Sequence, residues 1–376
     1  MTDFTAIDLF AGGGGLTVGL KSAGFFVEAA VEVDSSAYET YVANHPDVRA
    51  YKQDIRTVSG RDLLAHGQTK RIDLVSGCPP CQGFTSLTAK YKKNDPRNAL
   101  INDMLRIIRE LRPRAVMMEN VPGLLKRGKR RFQKFVRELE AAGYIIRYGI
   151  LQAADFGVPQ YRRRLVLLAG LGFEIPLPTP THSRNGGDGL RKYKTVKDAI
   201  GGMKKPVRYA DLRAKKVSPK NTDWHIVRTM TPENEARMRA ARVGRQWWKI
   251  PSKLRPNCHK GREYRGFGSV YGRMRWADAS PTITGGCTTF SKGRFGHPQA
   301  HRTISVREAA MLQTFPKNYV FDTGSIEDAC NIIGNALPCM LAEVLARQCR
   351  KLIAEQPNPG APRTKSIKGR KRAHRT

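Results

Sequence analysis

Short apolar runs alternate with amphipathic stretches along the first half of the chain. The apolar runs are FTAIDLF, FVEAAVEV, RIDLVSG, RAVMMENV, YIIRYGIL and RLVLLAG, and the stretches with helical spacing are LTVGLKSAG, NALINDMLRIIRELR and RRFQKFVRELEAAG. Runs that are apolar almost throughout are typical of strands buried on both faces, with helices between them covering the sheet. The pattern predicts an α/β fold built on a doubly wound, mostly parallel sheet.

The alternation ends near residue 175, where PLPTPTHSRNGGDG brings prolines and glycines together, as at a domain boundary. Helical patterning returns in SVREAAMLQTF and ALPCMLAEVLARQCRKLIAE, whereas the last twenty or so residues have no apolar face. We therefore expect an α/β domain over 1–180, a second, smaller basic domain over 181–300, a return to the first domain over 301–356 and a disordered basic tail over 357–376.

Positive charge is concentrated in two places. The 376 residues include 66 Lys and Arg against 32 Asp and Glu, a formal net charge of +34. Residues 181–300 carry +19 and residues 351–376 carry +7, which leaves +8 for the rest of the chain. This distribution predicts that the middle segment and the tail contact a polyanion, nucleic acid first of all. The alternative is a protein that is basic only because its proteome is.

Composition also limits where the protein works. Hydrophobic residues make up 40% of the chain, which argues against disorder. We find no apolar run near the roughly 18 to 20 residues of a membrane span, and no basic region ahead of an apolar one at the N-terminus, so we expect no membrane partner. Seven cysteines, an odd number, argue against a disulfide scaffold and for a reducing cytoplasm.

A glycine-rich turn, DLFAGGGG over residues 8–15, follows the first predicted strand. The second strand ends at Glu32, near the spacing of about 20 residues at which a carboxylate reaches ribose hydroxyls. The turn fits neither G-x-G-x-x-G nor a Gly-Lys-Ser/Thr ending, so it favours a nucleoside without phosphates, such as S-adenosylmethionine. A purely structural turn is the alternative.

A second motif, GCPPCQGF, comes directly after the apolar run that ends at Ser76. Pro79 and Pro80 stiffen the approach to Cys81, and a rigidly presented thiol suits nucleophilic attack. A redox pair and half of a zinc site are alternative readings of the C-x-x-C spacing. We interpret Cys78 as a structural, buried cysteine.

Two further motifs place polar groups at strand ends. Glu119 closes the run RAVMMENV, and because burial favours a neutral carboxyl, it is a candidate to hold or share a proton; a loop cap is the alternative. Gln160, Arg162 and Arg164 alternate before another apolar run, so we expect them to face one way and to bind a phosphate or a carbonyl oxygen. The alternative is a solvated basic edge that protects a strand from mispairing.

Taken in order along the chain, these motifs resemble those of the bacterial-type DNA cytosine-5 methyltransferases. DLFAGGGG is similar to the family's cofactor motif, and Pro80-Cys81-Gln82 is similar to its catalytic motif. Glu119-Asn120-Val121 and the segment 160–164 resemble its Glu-Asn-Val and Gln-x-Arg-x-Arg motifs. The segments 305–316 and 334–338 resemble its two C-terminal motifs.

The resemblance implies a Rossmann-like methyltransferase domain that depends on S-adenosylmethionine, with a DNA-recognition domain in the basic segment 181–300. The implied catalytic residues are Cys81, Glu119, Arg162 and Arg164. The implied cofactor residues are Phe10, Ala11, Gly12, Gly13, Gly14, Gly15, Leu16, Glu32, Val33, Asp54, Ile55, Pro79, Leu100, Asn335 and Ala336. The implied DNA contacts are Gln82, Thr85 and Arg162, and no metal is expected. The family often has an aromatic residue where Val33 stands, so we expect Phe10 to stack on the adenine instead.

The implied reaction is methyl transfer to C5 of a flipped-out cytosine in a specific duplex DNA sequence, through a covalent bond between Cys81 and C6. We expect a cytoplasmic monomer, either solitary or paired with a restriction endonuclease that acts separately. A tRNA cytosine-5 methyltransferase of the same fold is one alternative, against which the long basic segment argues. An inactive DNA-binding protein is the other, against which intact Cys81, Glu119 and Arg164 argue.

Overall fold

The computed structural model describes residues 4–64, 71–80, 95–245, 247–260 and 270–356. Within them, one sheet contains the strands β1 (Phe4–Leu9), β2 (Phe25–Glu32), β3 (Arg49–Lys52), β4 (Leu74–Gly77), β5 (Ala115–Asn120), β6 (Tyr144–Gln152) and β7 (Arg163–Leu171). Their order across the sheet is β3-β2-β1-β4-β5-β7-β6. Neighbouring strands are parallel except at β7, which is antiparallel to both β5 and β6. The predicted mostly parallel sheet is confirmed.

Helices cover both faces of this sheet. They are α1 (Gly15–Ser22), α2 (Ser35–Asn44), α3 (Gly60–Leu64), α4 (Ile101–Leu111), α5 (Lys129–Ala141) and, from the far end of the chain, α11 (Cys339–Ala354). In β1, Ile7 packs with α3, α4 and α5, whereas Ala6 packs on the opposite face with α1, α2 and α11. Because successive strand residues point to opposite faces, the apolar runs seen in the sequence supply both cores.

The remaining elements lie between and beyond these. They are β8 (His182–Ser183), β9 (Arg191–Lys192), α6 (Val196–Ile200), β10 (Val207–Arg208), α7 (Tyr209–Ala214), β11 (Ile226–Val227), α8 (Pro232–Ala240), α9 (Val306–Leu312) and α10 (Ile326–Asn335). One hydrophobic cluster joins Trp224 and Ile283 to Ile304 and Ile333. Packing is therefore continuous across residue 300, where the sequence suggested a boundary.

Several elements were not predicted, among them α2, α3, β3, α10 and the short helices and strands between residues 182 and 240. The edge strand β3 has four residues, Arg49–Lys52, and none of them is fully buried. Its sequence therefore contains no apolar run that would indicate a strand. Helix α2 buries only Ala37, Thr40 and Tyr41, which gives it little amphipathic signal. These elements form because neighbours in the fold cover them, and a single-sequence pattern does not contain that information.

The segment Ile326–Ala354 contains an 18-residue window that is apolar enough to resemble a membrane span, with a mean hydropathy of 1.5. However, 67% of that window is buried inside the protein. It is also interrupted at Pro338, where α10 has ended and α11 begins. The segment thus consists of two core helices, whose apolar residues face other parts of the protein.

Helices α1 and α11 approach most closely at Gly19. A Cβ atom there would lie 2.4 Å from the Cβ of Ala342 and 2.6 Å from the backbone nitrogen of Glu343. We predict that Gly19→Ala lowers the free energy of unfolding by about 1 to 3 kcal/mol, because the helices must separate. Chemical denaturation followed by circular dichroism measures this.

The matched control is Gly202→Ala, since a Cβ at Gly202 would meet nothing within 4 Å. This variant should unfold at the same denaturant concentration as the wild type. Equal stability of the Gly19 and Gly202 variants would show that the α1–α11 contact is not as tight as described.

Candidate active site

Polar and glycine residues gather at one edge of the sheet. Strands β1, β2, β4 and β5 are parallel and adjacent, so their carboxyl ends meet there, and the antiparallel β7 begins at the same edge. The glycine turn, Glu32, Pro79, Glu119 and Arg164 therefore lie along one line of strand ends. In open α/β sheets, this edge is where ligands bind.

The glycine turn leaves room at one position. Gly12 has φ +55°, and a Cβ atom built on it would meet nothing within 4 Å. Its backbone N–H donates to the Glu32 carboxylate at 2.8 Å. Such an open approach to the backbone, beside a carboxylate, is what a nucleoside ligand requires.

The Glu32 carboxylate is fixed by its own backbone surroundings. Besides Gly12, the N–H groups of Val33 and Asp34 donate to it at 2.8 and 2.7 Å. Burial nevertheless raises the pKa of Glu32 above its usual value. Each carboxylate oxygen has two lone pairs, and Oε1 already accepts two hydrogen bonds while Oε2 accepts one, so Oε2 can accept one more from a hydroxyl group of a ligand.

The next two glycines have a packing role. A Cβ at Gly13 would lie 2.3 Å from Cγ2 of Ile332, and one at Gly14 would lie 2.5 Å from Oη of Tyr319. Tyr319 also donates its hydroxyl to the carbonyl of Gly13 at 2.5 Å. Here the absence of side chains lets the C-terminal part of the chain lie directly against the turn.

The C-terminal motif meets the same turn. A Cβ at Gly15 would lie 3.2 Å from the Cβ of Ala336, so this motif lies against the glycine turn. The neighbouring Asn335, the last residue of α10, has an exposed side chain. Leu16 is buried in the α1 side of the core. Ala11 is buried too, and its N–H donates to the carbonyl of Val31.

The other residues implied for the cofactor site differ in their burial and contacts. Phe10, at φ +59°, and Leu100 are half-buried against the same hydrophobic cluster. Val33 is 63% exposed, so it offers an apolar surface at the sheet edge. Asp54 accepts two hydrogen bonds from the Arg56 guanidinium, which holds the pKa of that carboxyl below its usual value. Ile55 is buried in the core.

An ion pair closes the end of β5. Nε of Arg164 lies 2.6 Å from Oε1 of Glu119, and the two side chains are only 13% and 8% exposed. Charge-assisted hydrogen bonds of this length are strong, and a protein interior of low polarity strengthens them further. The carboxylate is thus held in one orientation at the end of β5.

The proline segment is tied to the same strand. The side-chain amide of Asn120 donates to the carbonyl of Pro79 at 3.0 Å, and its oxygen accepts from the N–H of Val121. Burial and the nearby Glu119 carboxylate raise the pKa of the Cys78 thiol well above its usual value. Cys78 is therefore a protonated thiol, which is a poor nucleophile.

Three residues predicted from the sequence, Cys81, Gln82 and Thr85, lie outside the described residues. Pro80, the last described residue before them, is only partly buried at the edge that holds Glu119. Pro79, two residues before Cys81, accepts a hydrogen bond from Asn120, the residue after Glu119.

Arg162 departs from the prediction that it faces the site or DNA. Its side chain is 1% exposed, and it donates to the carbonyls of Ile283, Gly334 and Ala336 at 2.8 to 3.0 Å. This arginine holds distant segments of backbone together. Gln160 is also fully buried. Of the three alternating residues, Arg164 is the one that contacts Glu119.

Two polar residues at this edge, Asp8 and Asn120, had no predicted role. Asp8, fully buried beneath the glycine turn, accepts from the Thr17 hydroxyl at 2.7 Å, and burial raises the pKa of Asp8 to about 7. Asn120 anchors Pro79, as described above. The signal for both was available, since each is a polar residue inside an apolar run.

Comparison with known proteins agrees with this arrangement. The family model for C-5 cytosine-specific DNA methylase matches residues 4–351. The Type II methylase M.HgiDII of Herpetosiphon aurantiacus is 36% identical over 352 residues, which are 92% of this chain and 95% of that protein. The Type II methyltransferase M1.HphI of Haemophilus parahaemolyticus is 34% identical, covering 93% of this chain and 87% of that protein.

Solved structures share the fold. A putative DNA modification methyltransferase encoded within an E. coli prophage aligns with a TM-score of 0.69 at 22% identity, over 93% of this chain and 99% of that one. The S. pombe Dnmt2 methyltransferase aligns with a TM-score of 0.59 at 18% identity, over 94% and 98%. From the family match and the relatives above 30% identity, the chain belongs to the C-5 cytosine-specific DNA methylase family and is a DNA (cytosine-5) methyltransferase.

Proposed function

We propose that this enzyme methylates C5 of a flipped-out cytosine in a specific duplex DNA sequence, through a transient bond between the Cys81 sulfur and C6 of the base. The observation that carries the proposal is the buried pair of Glu119 and Arg164, 2.6 Å apart at the end of β5. It lies next to the proline segment that leads to Cys81. A nucleophile and a positioned acid at one strand edge suit addition to an electron-poor ring.

Cytosine C5 is a weak nucleophile, so electrons must first be pushed into the ring. The Cys81 thiolate forms a bond to C6, and the electron pair of the C5–C6 double bond moves towards C5. Glu119 holds a proton at N3, where negative charge would otherwise build up, and Arg164 keeps Glu119 in place. After methyl transfer, the C5 proton passes to solvent water, the C5–H electron pair re-forms the C5–C6 double bond, and the Cys81 sulfur leaves C6 as a thiolate.

The residues around the glycine turn fit S-adenosylmethionine. When bound, it supplies an electrophilic methyl group on a positively charged sulfur. The open position beside Gly12 and the Glu32 carboxylate would hold its ribose, and the half-buried Phe10 and Leu100 would contact its adenine. We assign Pro79, buried at the end of β4, to the wall of the same pocket.

The substrate is assigned to duplex DNA on grounds of charge and family. A base within a duplex cannot reach Cys81, so it must be flipped out, at a cost of a few kcal/mol. The basic segment 181–300, with its +19 charge, would contact phosphates and select the sequence, and the tail 357–376 would add affinity without reading bases. A tRNA substrate has weaker support, because the matching family is defined by DNA methylation.

The relatives support a proposal for the biological setting. Proteins named as Type II methylases and methyltransferases are 31 to 36% identical to this chain. We therefore assign it the modification role in a restriction-modification system, in the bacterial cytoplasm, as a monomer that works separately from a cognate endonuclease.

The direct test is bisulfite sequencing of DNA from a methylation-free host that expresses the chain. We predict protected cytosines in one sequence context. Cys81→Ser should remove the protection, whereas Cys78→Ala should keep at least about a tenth of the activity, since only one thiol can be aligned with C6. Unprotected DNA in the wild-type culture would contradict the proposed function.

A second measurement separates the two cysteines chemically. In DNA containing 5-fluorocytosine, C5 carries no proton to lose, so the bond from the enzyme sulfur to C6 should persist. The wild type and the Cys78 variant should form this adduct, and the Cys81 variant should not. Equal loss in both variants would instead point to chemistry that uses a cysteine pair.

Replacement of Glu119 tests whether this residue supplies a proton to N3 of the cytosine. We predict that Glu119→Gln lowers turnover by roughly 10² to 10⁴, because an amide accepts the Arg164 hydrogen bond but cannot transfer a proton to N3. DNA affinity should change little. Steady-state transfer of labelled methyl groups and a fluorescence binding titration measure the two quantities.

The exposed Glu140 in α5 provides the control, and Glu140→Gln should behave as the wild type. Near-normal turnover in the Glu119 variant would show that this residue caps a loop and does not take part in catalysis.

A further inference from the structure

A second basic surface lies outside the segments already assigned to DNA binding. Between Val121 and Arg137 the chain has seven Lys and Arg and no Asp or Glu. We call this group the α5 basic surface, which consists of Lys126, Arg127, Lys129, Arg130, Arg131, Lys134 and Arg137. All of these side chains are exposed except that of Arg131, which is partly buried.

The fold places the start of this surface beside the catalytic edge. Strand β5 ends at Asn120, one residue after Glu119, and a short 3-10 helix, Pro122–Leu125, follows it. Four residues of such a helix span about 8 Å. The N–H of Lys126 donates back to the carbonyl of Gly123, which keeps the turn compact. Helix α5 then runs back along the sheet, so its first turn remains at the edge that holds Glu119.

The buried face of α5 fixes the direction of this surface. Phe132, Phe135 and Leu139 pack into the core, while Arg130 and Lys134 lie on the other side and are exposed to solvent. The cations are therefore presented outwards by a helix that is anchored along its length.

These charges oppose the stability of the helix that carries them. The positive end of the helix dipole is at its N-terminus, the first turn has no acidic residue, and no side chain caps it. Arg130 and Lys134 are four residues apart, a spacing at which like charges repel. Among the described residues, Lys126, Lys129, Arg130, Lys134 and Arg137 form no ion pair with a carboxylate. These cations destabilise the free protein. A bound polyanion would remove that repulsion by neutralising their charge.

We propose that the α5 basic surface binds the phosphates of the DNA duplex next to the target cytosine. The inference rests on the proposed function, because the duplex must lie across the edge where the base enters. Basic side chains just beyond Glu119 would then meet the backbone on the side of β5 and β6. They would fix the position of the duplex without reading its sequence.

The test is a triple variant, Lys126→Gln, Lys129→Gln and Arg130→Gln, assayed for DNA binding at several salt concentrations. Loss of three phosphate contacts should make the slope of log K against log salt about 2.7 less negative. Affinity at about 0.15 M salt should fall by about 10- to 100-fold. Turnover at saturating DNA and the methylated sequence should stay the same, because none of the three residues touches the base.

The control is a triple variant at the opposite edge of the sheet, Arg71→Gln, Arg112→Gln and Arg350→Gln. These exposed residues precede β4 and β5 or lie near the end of α11. The control has the same net charge as the test variant, so any difference reports position and not total charge.

Thermal unfolding distinguishes DNA binding from a structural role. If the three cations stabilised the fold, their replacement would lower the melting temperature. The test variant should melt no lower than the wild type, since repulsion at the start of α5 is removed. A large loss of affinity in the test variant alone, at unchanged turnover, supports the proposal. Equal affinities of the test and control variants overturn it, whether or not bisulfite sequencing confirms cytosine methylation.

Discussion

A buried guanidinium has to find acceptors for its N–H groups inside the protein, and Arg162 meets this requirement with backbone carbonyls from two remote segments. It joins the entry of β7 to Ile283 and to the end of α10. An unpaired buried charge would cost several kcal/mol, so these contacts fix where both segments lie. Gln160 continues the same arrangement, with hydrogen bonds to the backbone carbonyl of Leu312 and to the side chain of Gln313.

The consequence is a site assembled from both ends of the chain. Residues after 300 complete the helical layer over β1 and contact the glycine turn, through Tyr319 at Gly13 and Ala336 at Gly15. Most of the glycine run therefore serves this close packing, and only Gly12 opens towards ligand space. The glycine turn therefore has two roles, since it allows the C-terminal helices to pack closely and it leaves room for a cofactor at Gly12.

Local pattern was sufficient for much of the fold. Strands buried on both faces leave continuous apolar runs, and the six runs identified in the sequence became β1, β2, β4, β5, β6 and β7. Glu119 and Arg164, both implied as catalytic residues by the resemblance, also lie together in the structure. Arg162 was assigned wrongly because alternation along a strand shows which residues share a face, but not what that face contacts. The partners of Arg162 are backbone carbonyls between residues 283 and 336, more than 100 residues away in sequence. The roles of Cys81, Gln82 and Thr85 remain predictions, since these residues lie outside the described part of the chain.

The contact between Tyr319 and Gly13 spans 306 residues of sequence, and this has a consequence for biosynthesis. At about 5 to 20 residues per second, a ribosome needs about 15 to 60 s to make the chain between them. During that time α1 exists without α11, so Leu16 and Leu20 lack the helix that covers them in the finished protein. A nascent chain in this state has an exposed apolar face that invites aggregation or chaperone binding. It also has an unfinished glycine turn, so the enzyme acquires its activity only when synthesis is nearly complete.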